Sequence, residues 1–198
     1  ANYHLGSGSR VTVSGLMGSQ TADAAHLAVE STSDVFGTTG EWMQSSGQLV
    51  LHAAASGGMV AGSACVVTFS LQNSATNQAS PSVSVSAEIQ DGIGNSVGSI
   101  AAAAMSKPQI DLHGIVNGAN PFEVVMPQFS VKSIEQSNPV SGASNMLSVT
   151  LMANYDLASG STVTITGLTG SQTADTDSLA IASTSNMLGA AGQWIQSL

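Results

Sequence analysis

Small polar and β-branched residues alternate along most of the chain. Ser9-Arg10-Val11-Thr12-Val13-Ser14 is the clearest case, and Ser161-Thr162-Val163-Thr164-Ile165-Thr166 repeats it. A period of two is what a strand with one covered and one wet face requires. The same alternation predicts short strands over 48–52, 64–71, 82–89, 109–114, 122–131 and 146–152. Between them lie turn clusters that supply positive φ or a preset proline φ: Ser56-Gly57-Gly58, Gln90-Asp91-Gly92, Asn117-Gly118, Asn120-Pro121, Ser137-Asn138-Pro139 and Ala158-Ser159-Gly160. No long segment has helical period. One helical turn is expected in 19–28 and again in 171–180, capped by Asp23 and Asp175. The run Ile100-Ala101-Ala102-Ala103-Ala104-Met105 reads as extended, because Gly98 and Pro108 flank it. Strand after strand at this spacing predicts an all-β fold of antiparallel Greek-key, Ig-like β-sandwiches.

The pattern also repeats as a whole. Residues 1–46 align with 153–198 at a constant offset of 152 without a gap, and 27 of the 46 positions are identical. Trp42 returns as Trp194, and Gly18-Ser19-Gln20-Thr21-Ala22-Asp23 as Gly170-Ser171-Gln172-Thr173-Ala174-Asp175. A period of roughly 152 residues is a domain, far longer than a solenoid motif. The expected organisation is a sandwich repeat over 1–115 that lacks its opening strands, followed at 122–198 by the opening part of the next. In that reading the segments 129–139 and 146–151 form the opening pair of strands. Without such a pair the first repeat exposes unpaired backbone beside an open core, which a neighbouring repeat should fill. The polypeptide is then expected to be a window on a longer one, or a subunit completed by its neighbour.

Composition narrows the function classes. Charged residues make up 8% of the chain, against about 25% in ordinary soluble proteins. Arg10, Lys107 and Lys132 are its three basic residues and the net charge is −9, which lacks the phosphate-neutralising charge that nucleic-acid binding needs. The longest apolar run is too short to span a bilayer, so no membrane insertion is expected, and any export signal would lie upstream of Ala1. Cys65 is the single cysteine. It shares a strand face with Val67, Phe69 and Leu71, which predicts a buried, inert thiol.

Several residue groups resemble sites. Gly94-Asn95-Ser96-Val97-Gly98 matches the nucleophile elbow, with Asp111 and His113 downstream. That elbow works on a strand-to-helix turn above a parallel sheet, whereas Asp91-Gly92 marks a hairpin loop here. Four histidines occur, yet His4 is replaced by Asp156 and His26 by Ser178 in the second copy, so chemistry shared by the copies cannot depend on them. Glu88, Asp91 and Asn95 place oxygens around one turn, without the spacing of a calcium loop. No catalytic residue, cofactor or metal site is therefore expected. Asn-x-Ser/Thr is absent, and the Ser/Pro loops make Ser80, Ser82 and Ser137 candidate O-glycosylation sites. Trp42, Trp194, Tyr3 and Tyr155 are the candidate aromatics for an interface or a ligand.

The string Ile165-Thr166-Gly167-Leu168-Thr169-Gly170-Ser171-Gln172-Thr173, the Trp-x-Gln-Ser step and the 129–139 opening resemble tandem β-sandwich repeats of giant extracellular and cell-surface proteins of unicellular algae and related protists. The likeness runs over the whole unit. It implies a structural role in secreted or cell-surface fibres and brings no catalytic residues. With a charge-poor tandem β array, the expectation is a structural subunit of an extracellular filament or surface coat whose repeats interlock end to end. Its partner would be itself, and glycans where sugars are attached. The alternative is an adhesin or carbohydrate-binding repeat that uses the exposed aromatics.

Overall fold

The computed structural model describes residues 3–55, 58–184 and 187–196. The turn expected at Ser56-Gly57 lies outside them. The chain divides into two compact units, 1–128 and 129–198, and all of its sheets are antiparallel.

Among its described residues the first unit is a seven-stranded sheet. Its strands are β1 Arg10–Ser14, β2 Ala24–Ser31, β3 Thr39–Met43, β4 Gln48–His52, β5 Val67–Phe69, β6 Ser84–Gln90 and β7 Ser96–Ala104. Their spatial order is β5-β2-β3-β4-β1-β6-β7, so β1 enters between β4 and β6 and the edges fall to β5 and β7. The register explains the alternation. Val13 lies opposite Leu49 and Val85, and Leu49 opposite Trp42. Val11 lies opposite Leu51 and Ala87. These two rows run across the inner face of the sheet, and Leu16, Val29, Val35, Phe36 and Val83 complete the core around Trp42, Leu49 and Leu51.

Gly40 belongs to the second row. A Cβ there would sit 2.9 Å from Leu49 Cδ1 and 3.0 Å from Leu51 Cδ2, so the two leucines close over β3 only because the position is glycine. Ser9 is the one fully buried hydroxyl among the largest covered side chains. Its Oγ accepts a hydrogen bond from Gln90 N at 2.9 Å, which anchors the end of β6.

The second unit holds two hairpins among its described residues. β8 Phe129–Gln136 pairs with β9 Leu147–Ala153, and β10 Thr176–Ala180 pairs with β11 Ala191–Trp194. Every strand but two that the alternation predicts is present in some part. The 109–114 segment is instead a tight turn, in which Leu112 and Ile115 exchange backbone hydrogen bonds at 3.1 and 3.0 Å. Gln109 and His113 take φ values of 53° and 52°, which a strand cannot accommodate. The 161–166 segment carries the β1 pattern but forms no ladder. Its counterpart β1 is held between β4 and β6, and neither of those has a copy within 153–198.

The expected helical turns are also absent from the described residues. Residues 24–31 are strand, and the single 3-10 turn described spans Thr32–Asp34. Asp23 caps no helix. It accepts from Gln44 N across the β2–β3 hairpin, because the hydrophobic demands of Leu27 and Val29 on the core outweigh a local preference for a turn. No helix among the described residues is long and apolar enough to cross a membrane.

Candidate interaction site

The duplicated sequence folds into a duplicated clip. In the first unit Trp42 Nε1 donates to Thr21 O at 2.9 Å, Gln44 N to Asp23 Oδ1 at 2.7 Å, and Gln44 Nε2 to Ser19 O at 2.9 Å. In the second, Trp194 Nε1 donates to Thr173 O at 3.0 Å, Gln196 N to Asp175 Oδ1 at 2.7 Å, and Gln196 Nε2 to Ser171 O. The strand registers agree as well, Ala24 opposite Trp42 and Thr176 opposite Trp194, each followed by a bulge at the same place. The Ser-Gln-Thr-Ala-Asp run is therefore the half of the clip that receives the Trp-x-Gln half. What differs is cover. Trp42 is 1% exposed, while Trp194 is half-buried. In the first unit Ser19 Oγ donates to Gln72 O at 3.0 Å and Gln72 N to Thr21 Oγ1 at 2.7 Å, so a later segment of the same unit ties the clip down from outside.

The inner face of the first unit is not closed. A cavity of about 670 Å³ opens on it, with Val11, Val13 and Leu16 on one wall, Cys65, Val67 and Phe69 on another, and Ile100 on a third. Those walls include both edges of the sheet, β5 and β7, so the sheet curls until its edges face one cavity. Among the described strands β5 pairs only with β2, and β7 only with β6. The second unit has a smaller cavity of about 470 Å³, formed by Phe129, Ile134, Val149 and Leu151 of the β8–β9 hairpin with Val163, Ile165 and Leu168.

The candidate residues that the sequence singles out fall in different places. Cys65 is half-buried rather than buried, and lines the large cavity in the row with Val67, Phe69 and Leu71. Tyr3 is 56% exposed and Tyr155 is half-buried. Trp42, covered as it is, presents no face to a sugar. Ser80 Oγ donates to Pro121 O at 2.6 Å, and Lys107 Nζ donates to Ser80 O at 2.9 Å, inside a strap that joins 77–82 to 120–126. Ser82 is exposed. Ser137 is exposed too, and its Oγ accepts from Met146 N at 2.9 Å at the mouth of the β8–β9 hairpin.

Ser96 opens β7 in an antiparallel hairpin, with Asp91 rather than a helix shaping the preceding loop. Asp91 Oδ1 accepts from Ile93 N at 3.0 Å and Asn95 N at 3.1 Å, and Oδ2 from Asn95 Nδ2 at 2.8 Å. The Asn95 side chain, followed by those backbone donors, holds the Asp91 carboxyl below the usual carboxylate range. Glu88 pairs with Arg10, accepting from its Nε at 3.1 Å, and this hydrogen bond raises the guanidinium above its ordinary value. Asp111 accepts from Asn117 N at 2.8 Å within its own turn. His52 lies 3.2 Å from Glu41 on the exposed side of the sheet. No group of three His, Cys, Asp or Glu side chains spaced for a metal occurs among the described residues.

The open cavity is the feature that residue motifs did not locate. Its signal was the row Cys65, Val67, Phe69 and Leu71 running through the edge strand β5, four alternating apolar positions with nothing in the sequence to say what they meet. Comparison with family models, curated proteins and solved structures gave no match to this chain.

Proposed function

We propose that this chain is a structural subunit of an extracellular filament or surface coat, built by end-to-end interlocking of tandem β repeats. The observation that carries the reading is the duplicated clip: identical hydrogen bonds and register 152 residues apart, closed over in the first unit and half-covered in the second. A structural element that recurs in phase is what a tandem array of stacked repeats requires. The completed repeat is a Greek-key, Ig-like sandwich in this proposal. Placement of β1 beside β4, after the β2-β3-β4 meander, is consistent with that connectivity. The low charge, the Ser/Thr-rich surface and the resemblance to algal and protist surface repeats support an extracellular location, with Ser80, Ser82 and Ser137 as candidate sugar acceptors.

The reading is tested by cryo-electron microscopy of the native material. Filaments whose axial repeat matches one unit are expected. Dispersed particles at all concentrations would refute it and turn attention to the adhesin alternative, for which Tyr3, Tyr155 and Trp194 are the remaining aromatics.

A further inference from the structure

We propose that the open cavity of the first unit is the docking site for the β8–β9 hairpin of a second copy of this chain. The proposal rests on the filament reading and names the joint. Its basis is an equivalence internal to the sequence. Val163, Ile165 and Leu168 stand 152 residues after Val11, Val13 and Leu16. In the second unit those three line one cavity with Phe129, Ile134, Val149 and Leu151 of the hairpin. In the first unit their counterparts line the larger cavity, whose walls are made of residues of that unit alone. The chain thus displays, in its second unit, the element that belongs against this wall.

The hairpin is built for the role. Ile134 pairs with Val149, and Lys132 with Leu151, so these side chains share one face of the ladder. The bulge between Phe129 and Val131 shifts the alternation by one and brings Phe129 onto that same face. In the second unit this face is incompletely covered: Ile134 is 49% exposed, Leu147 43% and Val149 38%. The first unit offers more to cover it with, since Phe69, Ile100 and Phe122 line its cavity together with Val11 and Val13. It also offers two sheet edges, β5 and β7, whose outer backbone groups lack a strand partner among the described residues. A hairpin added there satisfies main-chain groups and fills an apolar space together, which is the physics of strand addition. Hairpin and groove lie in different units, so the joint is heterologous and each added copy leaves a new groove and a new hairpin free. Such a joint propagates.

Cys65 is a built-in reporter, because it lines the groove and is the only thiol. The test mixes two full-length chains. The acceptor carries Ile134→Asp and Val149→Asp, which place charge on the hairpin's apolar face and leave its own groove intact. The donor carries Cys65→Ser and the natural hairpin. Maleimide labelling of the acceptor thiol should slow at least tenfold as donor is added, and sedimentation should show the mixed complex. Donor that also bears both Asp substitutions should give no protection. Hydrogen exchange of the β4 amides in the acceptor, unchanged from wild type, verifies that the first unit is folded. Labelling unaffected by donor at any concentration overturns the proposal, as does equal protection by the Asp-bearing donor. Concentration-independent protection of Cys65 in the wild-type chain also overturns it, since the chain's own hairpin would then occupy the groove. Filaments with a freely reactive Cys65 would refute this joint and keep the structural reading, while protection in trans without filaments would support the joint and refute the filament.

Discussion

The two tryptophans form a matched pair in which hydrogen bonding is held constant and burial varies. Trp42→Ala and Trp194→Ala each remove one indole, one bond to a threonine carbonyl and the same hairpin register. An indole buries about 200 Å², and at about 25 cal/mol per Å² full burial contributes about 5 kcal/mol. Trp42 is 1% exposed and packs on Leu49, so its loss should cost about 3–5 kcal/mol including the cavity. Trp194 is half-buried and should cost about 2 kcal/mol on the same scale. Hydrogen exchange followed by mass spectrometry reads both units in one molecule. With tenfold for every 1.4 kcal/mol, amides of β4 in Trp42→Ala should exchange about a hundredfold to several thousandfold faster. Amides of β10 and β11 in Trp194→Ala should accelerate about thirtyfold. In each variant the other unit serves as the unchanged control. If the two substitutions accelerate exchange by factors within about threefold of one another, the burial argument fails and the shared hydrogen bonds alone set the stability of the clip.

Three further outcomes follow from the same geometry. Gly40→Ala should destabilise the first unit by about 1–3 kcal/mol, because the new methyl meets Leu49 and Leu51 inside van der Waals contact, while alanine at the exposed Gly98 should change stability far less; urea midpoints compare them. Ser9→Ala leaves Gln90 N without its acceptor in a buried position and should cost about 1–3 kcal/mol, read by thermal denaturation, with Ser9→Thr testing whether the hydroxyl alone suffices. The Asp91 carboxyl is held below its ordinary value, so the loop contribution it makes is fully present above the unfolded carboxylate pKa of about 3.9 and is lost as pH falls through the lower folded value. Amide resonances of Ile93 and Asn95 should therefore shift only below about pH 4, and Asp91→Asn should abolish that step; movement between pH 5 and 7 would contradict the assignment.

Alternation of apolar and polar residues is local, and where it met a buried wall it was decisive. Leu49 and Leu51 fix β4 as the strand 48–52 because any slip by one residue would turn both leucines to solvent. The offset of 152 was equally plain, since 27 of the 46 aligned positions are identical; that Thr21 pairs with Trp42 and Asp23 with Gln44, and likewise in the copy, was decided by the fold. The sequence left undecided whatever depends on distant partners. Residues 9–14 and 161–166 have nearly one pattern, yet the first is a central strand and the second pairs with nothing among the described residues, because a strand exists only through the neighbours that accept its hydrogen bonds. In 109–114 the alternation was overruled by backbone geometry, with Asn117, Asp111 and Asn120 closing turns that need positive φ. Asp23 and Asp175 show the same limit from the other side. Their preference for capping a turn is real but small, and each carboxylate instead accepts the backbone N–H of the glutamine that follows the paired strand, Gln44 or Gln196. Above all, the open cavity arises from the curl that brings β5 and β7, more than 25 residues apart, to one apolar space; no local pattern encodes a curl, because it is the sum of strand twists across a whole sheet.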